Sequence, residues 1–293
     1  MGAELYMRAM HQKNFLEPDF PFSLAVSNNL EFPPHWHEEV EIVYMVEGDM
    51  QIGLNNETFQ LQERDIFLIG RGNVHHFTPP IKPNKSIIIQ LGLPFFRSLS
   101  IIMENNQFLR PLLEFSRVED SSLQASTHND IENQILAMIR ESKEEKEGYK
   151  MALKARLFDL MVILVRQVPM EPFPIRDKHR QVSRLKRLDK VLAYIDSNYH
   201  DNITLGDVAL VANFSKYHFT RFFKEATGMT FNEYLNMVRV RKVEEYLLNV
   251  DIPITEIGYK AGFNSIQTFN RVFKRIKGCS PTEFRKKRLY HYK

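Results

Sequence analysis

At 293 residues, 43% of them apolar, the chain is long enough for two domains with ordinary cores. Its overall +3 balance hides a split: from Leu185 to Lys293 there are 19 Lys+Arg against 11 Asp+Glu, leaving 20 against 25 for everything before, so only the C-terminal part is suited to a polyanion. No 18-residue apolar run and no N-terminal signal pattern occurs, which predicts no membrane partner and a cytoplasmic location, and the single Cys279, in a Gly-Cys-Ser-Pro turn, excludes an intramolecular disulfide.

The first 100 or so residues read as short strands. Residues 40–46, 49–54, 57–62, 66–69 and 86–91 are rich in β-branched and aromatic side chains, with turns at Gly48 and Asn55-Asn56, and an antiparallel barrel is their natural closure. On a regular strand His35, His37 and Glu41 share parity and point to one side of the sheet, where His75 or His76 from a later strand can join them. Two readings stay open. Three imidazoles and a carboxylate suit Zn, Fe, Ni or Mn with positions left open, or they line a metal-free effector pocket, so no cofactor is required although a divalent metal can be accommodated. Trp36 has the opposite parity and is expected under a helix. Glu39, Tyr44, Phe67 and Arg71 are further pocket candidates, each with a structural role equally open. Aromatic faces beside carboxylates are compatible with a carbohydrate effector.

Two helices follow. Ile131, Ile135 and Met138 recur at helical spacing, as do Leu153, Leu157, Leu160 and Leu164, joined by the charged stretch 141–147. Their seams either cover the barrel or meet a partner, and Met151 and Met161 beside the second seam fit both roles. Pro169, Pro172 and Pro174 then break the pattern. The basic residues Arg176, Lys178, Arg180, Arg184, Lys186 and Arg187 that come next predict a semi-extended linker able to touch polyanion.

The most informative feature is a duplication near the C-terminus. Leu205, Val208, Ala209, Ala212, Asn213, Phe214, Phe219, Arg221, Phe223, Lys224, Gly228, Glu233 and Tyr234 recur as Ile254, Ile257, Gly258, Ala261, Gly262, Phe263, Phe269, Arg271, Phe273, Lys274, Gly278, Glu283 and Phe284. Each copy reads as a helix-turn-helix. The second helix of each buries one stripe (Phe219, Phe222, Phe223 and Ala226, then Phe269, Val272, Phe273 and Ile276) and leaves another set outside. That set is Tyr217, Thr220, Arg221 and Lys224 in the first copy, and Gln267, Asn270, Arg271 and Lys274 in the second. Arginine can bridge guanine bidentately, Asn and Gln can do so to adenine, and lysine meets phosphate. Thr204 with Asp207 predicts a capping box, Pro253 suits a first turn, Asn213 and Gly262 suit left-handed turns, and Gly228 and Gly278 suit C-caps. Residues 231–248 predict a connector helix. Its Arg239, Arg241 and Lys242 either contact phosphate or form a solvated basic face.

The run Arg241-Lys-Val-Glu-Glu-Tyr-Leu-Leu, then residues 254–263, 269–275 and 278–285, resembles the signature of the AraC/XylS transcription regulators. The resemblance implies that each recognition helix reads a major groove, through Tyr217, Thr220 and Arg221 in one copy and Ile266, Gln267, Asn270 and Arg271 in the other. Ile266 departs from a polar reader and predicts an apolar contact or none. His35-Trp-His37-Glu-Glu-Val-Glu41 followed by Gly48 resembles the first cupin motif. Residues 65–75 resemble the second, with Gly70 where proline is usual and Arg64 where glycine is usual, so that the loop is expected to differ in shape.

The implied protein is α+β: a cupin-like effector-binding and dimerisation domain over 1–168, a linker over 169–184, and a DNA-binding domain over 185–293. It is expected to be an activator rather than an enzyme, with no catalytic residues. A small-molecule effector would lie among His35, His37, Glu41 and His75, and double-stranded DNA, a second copy of the chain and RNA polymerase would be its partners. The alternatives are a constitutive DNA-binding protein whose barrel only dimerises, and a metal-dependent cupin enzyme tethered to DNA.

Overall fold

The computed structural model describes residues 22–290 except 56, 97, 116–122, 173–174 and 249–250, without side chains at 98, 123–124, 175–182 and 287–290. Asn56 of the expected turn and the side chains of Arg176, Lys178 and Arg180 lie outside the described residues. The chain forms two compact units, divided in the main between Gln181 and Val182.

The N-terminal unit opens with eight strands: β1 (Phe22–Asn28), β2 (Phe32–His35), β3 (Val40–Glu47), β4 (Met50–Leu54), β5 (Glu57–Leu61), β6 (Ile66–Ile69), β7 (His75–Phe77) and β8 (Lys85–Leu91). A 3-10 turn (Leu93–Phe96), α1 (Ser98–Asn105), β9 (Asn106–Phe108) and β10 (Leu112–Leu113) follow, then α2 (Leu123–Glu144), α3 (Tyr149–Gln167) and β11 (Met170–Pro172). The strands form two sheets, β1-β8-β3-β6-β10 and β2-β7-β4-β5, with β11 pairing β9 separately. The expected barrel is therefore two antiparallel sheets without a single closed ladder. All five predicted strands are present, and Gly48 and Asn55 take the left-handed turns assigned to them, at φ of 79° and 54°.

One face of the larger sheet makes the core. Val40, Ile42 and Tyr44 of β3, Ile66 and Leu68 of β6, and Ile87, Ile89 and Leu91 of β8 pack against Ile131, Ile135 and Met138 of α2 and Leu153, Leu157, Leu160 and Leu164 of α3. The leucine seam that also suited a partner is thus consumed inside its own unit: Leu157, Leu160 and Leu164 have no exposed surface. Met161 is buried with them, whereas Met151 is exposed.

Arg64 explains the departure from a glycine. It adopts a left-handed backbone, φ 67°, so the loop keeps glycine-like geometry. Its side chain donates to Glu132 of α2 from Nε (2.8 Å) and Nη2 (2.5 Å), and lies over the Phe115 ring at 3.6 Å, while its carbonyl accepts from His128 Nε2 at 2.8 Å. Tyr44, a pocket candidate, belongs instead to this brace: its hydroxyl donates to Glu132 Oε1 at 2.8 Å. Burial pushes the Glu132 carboxyl up, but the hydrogen bonds from Arg64 and Tyr44 outweigh it and hold it below the usual range. The same burial and the facing carboxylate push the Tyr44 phenol up to about 12.

The C-terminal unit is helical: α4 (Ile175–Asn198), α5 (Leu205–Val211), α6 (Lys216–Thr227), α7 (Phe231–Leu247), α8 (Ile254–Lys260), α9 (Ile266–Lys277) and α10 (Pro281–Tyr290). The basic stretch expected to be semi-extended is helical from Ile175. It contains no Gly or Pro, and Leu185, Leu188, Val191, Leu192 and Ile195 give it a buried stripe, so Pro174 precedes a helix rather than prolonging a linker.

The duplication extends to the helix ends. Ser215 and Ser265 cap α6 and α9, and Gly228 (φ 72°) and Gly278 (φ 70°) close them. Capping boxes at Thr204 with Asp207 and at Thr230 with Glu233 start α5 and α7, and Ser280 pairs with Glu283 in the same way at α10. Asn213 and Gly262 hold the left-handed turn positions, at φ of 55° and 87°. Helix α7 is buried on two sides. Phe231 and Tyr234 meet Phe219 and Phe223 of the first copy, whereas Val240, Val243 and Leu247 join the core of the second.

Leu157→Ala should lower the stability of the N-terminal unit by about 2 to 5 kcal/mol in urea unfolding; a near-neutral result would place Leu157 outside the core. For Glu132, the depressed carboxyl contributes stability that is present above its unfolded pKa of about 4.3 and is lost as pH falls through the lower folded value. The stability gap between the native chain and Glu132→Gln should be about 1 kcal/mol near neutrality, kept small by the solvent around Arg64, and should close on acidification below about pH 4. A gap unchanged there would rule out the charge as its source.

Candidate functional site

The outward set on each recognition helix is where sequence placed it. Tyr217, Thr220, Arg221 and Lys224 on α6 are exposed, as are Gln267, Asn270, Arg271 and Lys274 on α9, and Ile266 is half-buried. Phe219 and Phe223, then Phe269 and Phe273, are fully or nearly fully buried behind them, so each helix is anchored on one face and presents the other. The copies differ in the neighbour of the exposed arginine. Arg221 Nε donates to Glu225 Oε1 at 2.7 Å, an exposed pair one turn apart, whereas the residue at that spacing from Arg271 is Arg275. Glu225 was legible from this spacing and was passed over in the sequence reading.

The connector cations have partners within the chain. Arg239 is buried, donating from Nε to the Tyr199 carbonyl (2.8 Å) and from Nη2 to that of Asp201 (2.9 Å). Arg241 pairs with Asp196 at 3.5 Å and Lys242 with Glu245 at 3.3 Å. Arg187 lies over the Phe214 ring at 4.5 Å. Arg239 is thus a brace for the α4–α5 loop rather than part of a solvated or phosphate-facing row.

In the N-terminal unit His35, His37, Glu41 and His75 converge, at 2%, 1%, 2% and 0% exposure. They do not do so along one regular strand: β2 ends at His35, the chain bends at 38–39, and β3 begins at Val40. His35 and His75 come from the smaller sheet and Glu41 from the larger. The His35 and His75 ring centres are 4.0 Å apart, and those of His37 and His75 5.0 Å. His37 Nδ1 faces the Glu39 carbonyl at 3.1 Å and His75 Nδ1 that of Asn73 at 3.0 Å; carbonyls only accept, so both Nδ1 atoms donate. Each Nε2 then turns toward Glu41, His37 to Oε2 at 3.1 Å and His75 to Oε1 at 3.6 Å. Gln90 Nε2 donates to Glu41 Oε2 at 2.7 Å.

Burial pushes the Glu41 carboxyl up, yet the hydrogen bond from His37 and the charges of His37 and His75 hold it well below the usual range. Burial lowers His37, but Glu41 and Glu39 more than compensate and raise it. The donor set, three imidazoles and one carboxylate, suits a borderline divalent metal.

Of the other pocket candidates, Glu39 touches this cluster and the rest have partners elsewhere. His76 packs over Gly53, where a Cβ would meet its ring at 1.9 Å, and burial lowers it to about 4. Arg71 pairs at the surface with Glu38 at 3.1 Å and Glu104 at 3.8 Å. Phe67 is buried against Phe59, Glu39 stands 3.8 Å from His37, and Trp36 is buried. Gln90 and Asn73, which orient Glu41 and His75, were missed because their partners lie on other strands or turns.

A paired-sheet unit enclosing a polar cluster, followed by duplicated helix-turn-helix units, defines a DNA-binding transcription regulator with a ligand-binding domain. Residues 23–161 match the AraC-like ligand binding domain and residues 208–287 a helix-turn-helix domain. The chain belongs to the AraC/XylS family of transcriptional regulators, which are not enzymes, and the tethered-enzyme alternative falls with that.

Among similar proteins, the Msm operon regulatory protein of Streptococcus mutans is 24% identical over 87% of this chain and 87% of its own length. An uncharacterized HTH-type regulator of Staphylococcus aureus is 22% identical over 83% of this chain, which spans 31% of that protein. Among solved structures, ToxT of Vibrio cholerae is 17% identical, covering 90% of this chain and 97% of its own, at a TM-score of 0.46. The C-terminal domain of AraT from Geobacillus stearothermophilus is 31% identical over 33% of this chain and 81% of that one, at 0.32. Among the described residues no helix is long and apolar enough to cross a membrane.

The two turn positions should respond differently to substitution. A Cβ at Gly262, with its φ of 87°, would lie 2.5 Å from the Tyr199 carbonyl oxygen, so Gly262→Ala should cost more than about 1 kcal/mol of stability. Asn213→Gly should stay within about 0.5 kcal/mol. Equal effects in thermal unfolding would show that the Tyr199 contact is not limiting.

Proposed function

We propose that the chain is a sequence-specific, effector-controlled activator of transcription acting in the cytoplasm, with α6 and α9 each entering a major groove. The observation that carries this reading is the repetition of one exposed polar set, at one register, on two helices whose opposite faces are locked into core. Arg221 and Arg271 read guanine, Gln267 and Asn270 read adenine, Tyr217 and Thr220 contact base edges or sugar, and Lys224 and Lys274 meet phosphate. Ile266 offers an apolar contact to a thymine methyl. The 17 residues of α7 span about 26 Å, in keeping with two readers about one DNA turn, or 34 Å, apart.

The effector site is the polar cluster of His35, His37, Glu41 and His75, and carbohydrates are the first class to screen. The effector acts by binding one arrangement of the protein more tightly than another, shifting the population that engages both half-sites. The working unit is a homodimer that recruits RNA polymerase. Because the leucine seam of α3 is core, dimerisation through these helices must use what the core leaves exposed, Leu136, Met151 and Phe158.

Fluorescence anisotropy on the DNA flanking the encoding gene, with excess random competitor and a salt series, tests the reading. Binding should resist competitor, weaken with salt, and fall roughly ten- to hundredfold on Arg271→Ala with relaxed sequence preference. Glu225→Gln, which frees Arg221, should tighten binding about twofold, the scale of an exposed pair. Binding abolished by random competitor, or an equal loss on specific and random DNA for Arg271→Ala, would overturn specific readout. DNA affinity unchanged by every metabolite class would make the protein a constitutive binder.

A further inference from the structure

We infer that Glu225 is a specificity-determining residue of α6: it holds Arg221 end-on for guanine and withholds that arginine from phosphate. The role rests on the proposed entry of α6 into a major groove, and it sets how selectively that helix reads.

The Arg221–Glu225 pair leaves the reading edge of the arginine open. A guanidinium carries five N–H donors in a planar fork, one on Nε and the rest on the two Nη atoms. Glu225 Oε1 takes the Nε donor at 2.7 Å. The end-on bridge to guanine O6 and N7 uses the Nη atoms, so a carboxylate on Nε steers the fork without occupying it. The arm is held at its base, yet the Arg221 side chain stays 74% exposed.

Tyr217, Arg221 and Glu225 follow one another at four-residue steps along the exposed face of α6, and Glu225 lies in its last turn. The first residues of a recognition helix reach base edges, which leaves its last turn closer to the DNA backbone. The hydrogen bond and charge of Arg221, with Arg184 of α4 adding to them, hold the Glu225 carboxyl below the usual range. An anion on this row opposes phosphate on every sequence and lowers affinity throughout. Its effect on selectivity is the reverse. An unheld arginine is a mobile cation that finds a phosphate on any duplex, whereas a held one gives up that contact and keeps the guanine contact. Random DNA therefore loses more than the specific site does.

The second copy supplies the contrast. Arg275 stands at the same spacing from Arg271, and Lys274, Arg275 and Lys277 make the last turn of α9 basic, where α6 has Lys224. Helix α9 is thus the one built for affinity and α6 the one built for choice.

The test is the Kd of the full chain, by anisotropy, on the DNA flanking the encoding gene and on a random duplex of the same length. Glu225→Gln should tighten the flanking DNA about twofold and the random duplex about fivefold, the upper range for an exposed pair, so that the specificity ratio falls roughly two- to threefold. The slope of log Kd against log salt on random DNA should steepen by about 1, the mark of one added phosphate contact. Glu256→Gln, which removes the same charge from the exposed pair with Lys260 on α8, should leave the ratio unchanged. With Arg221→Ala already in place, Glu225→Gln should no longer move the ratio. An equal change on both duplexes, or none, overturns the inference. So does an equal fall in Glu256→Gln, or a fall that persists in the Arg221→Ala background. Any of these with competitor-resistant binding by the native chain defeats the role of Glu225 alone; loss of that binding in the native chain defeats specific readout and this role with it.

Discussion

Strand β3 has to satisfy two environments at once, and much of the N-terminal unit follows from how it does so. Its pleat sends Val40, Ile42 and Tyr44 into the core beneath α2 and α3, and by the same alternation sends Glu41 to the opposite face. A shift of one residue in register with β8 would bury the carboxylate under the helices and expose the apolar row. The pairings Glu41 with Gln90 and Ile42 with Ile89 exclude that shift, and they also place Gln90 where it donates to Glu41. The hydrophobic term that fixes the sheet against the helices thereby fixes the polar cluster.

The C-terminal unit depends on a different constraint, the need for one helix to serve two small cores. Neither helix-turn-helix copy is large enough to be stable alone, and α7 supplies the missing wall to each, Phe231 and Tyr234 on one side and Val240, Val243 and Leu247 on the other. A helix apolar on two sides has little surface left for phosphate, which is why its arginines are turned inward. Arg239 is consumed in tying the Tyr199 and Asp201 carbonyls, and Gly262 can approach Tyr199 only because it lacks a Cβ.

These features were legible in the sequence to different depths. The duplication, the five stronger strands and the buried and exposed faces of α6 and α9 follow from periodicity and turn chemistry, which are local. Strand β2 was not seen because Pro33 and Pro34 argue against a strand, and it survives by lying at the edge of its sheet. Strand β7 is three residues long, too short for an alternation. Helix α4 was hidden by reading prolines and charge as a linker, although its apolar stripe was present. The fate of the α3 seam, core rather than interface, could not be read locally, since the same leucine spacing serves both. His35, His37 and Glu41 were rightly grouped, but through a regular strand that does not exist; a bend at 38–39 brings them together instead.

The same strand offers a physical route from the cluster to the helices. Glu41 and Tyr44 are three residues apart on β3, one facing the histidines and the other donating to Glu132 of α2. Glu132 also receives Arg64, whose left-handed backbone is held by His128 of the same helix, so β3, the turn before β6 and α2 share one charged junction. A ligand or ion that draws Glu41 toward His75 acts on β3, and β3 cannot shift lengthwise without straining the Tyr44 to Glu132 contact, because the packed apolar row beside it offers no slack. A shift is absorbed either by the two sheets or by α2. Occupancy of the cluster can bias α2 only if the sheets resist more strongly than the junction does. With β3 paired on both sides, to β6 and β8, and the junction resting on one carboxylate, the sheets are the stiffer element, and the helix pair is where a change in the cluster is best expressed.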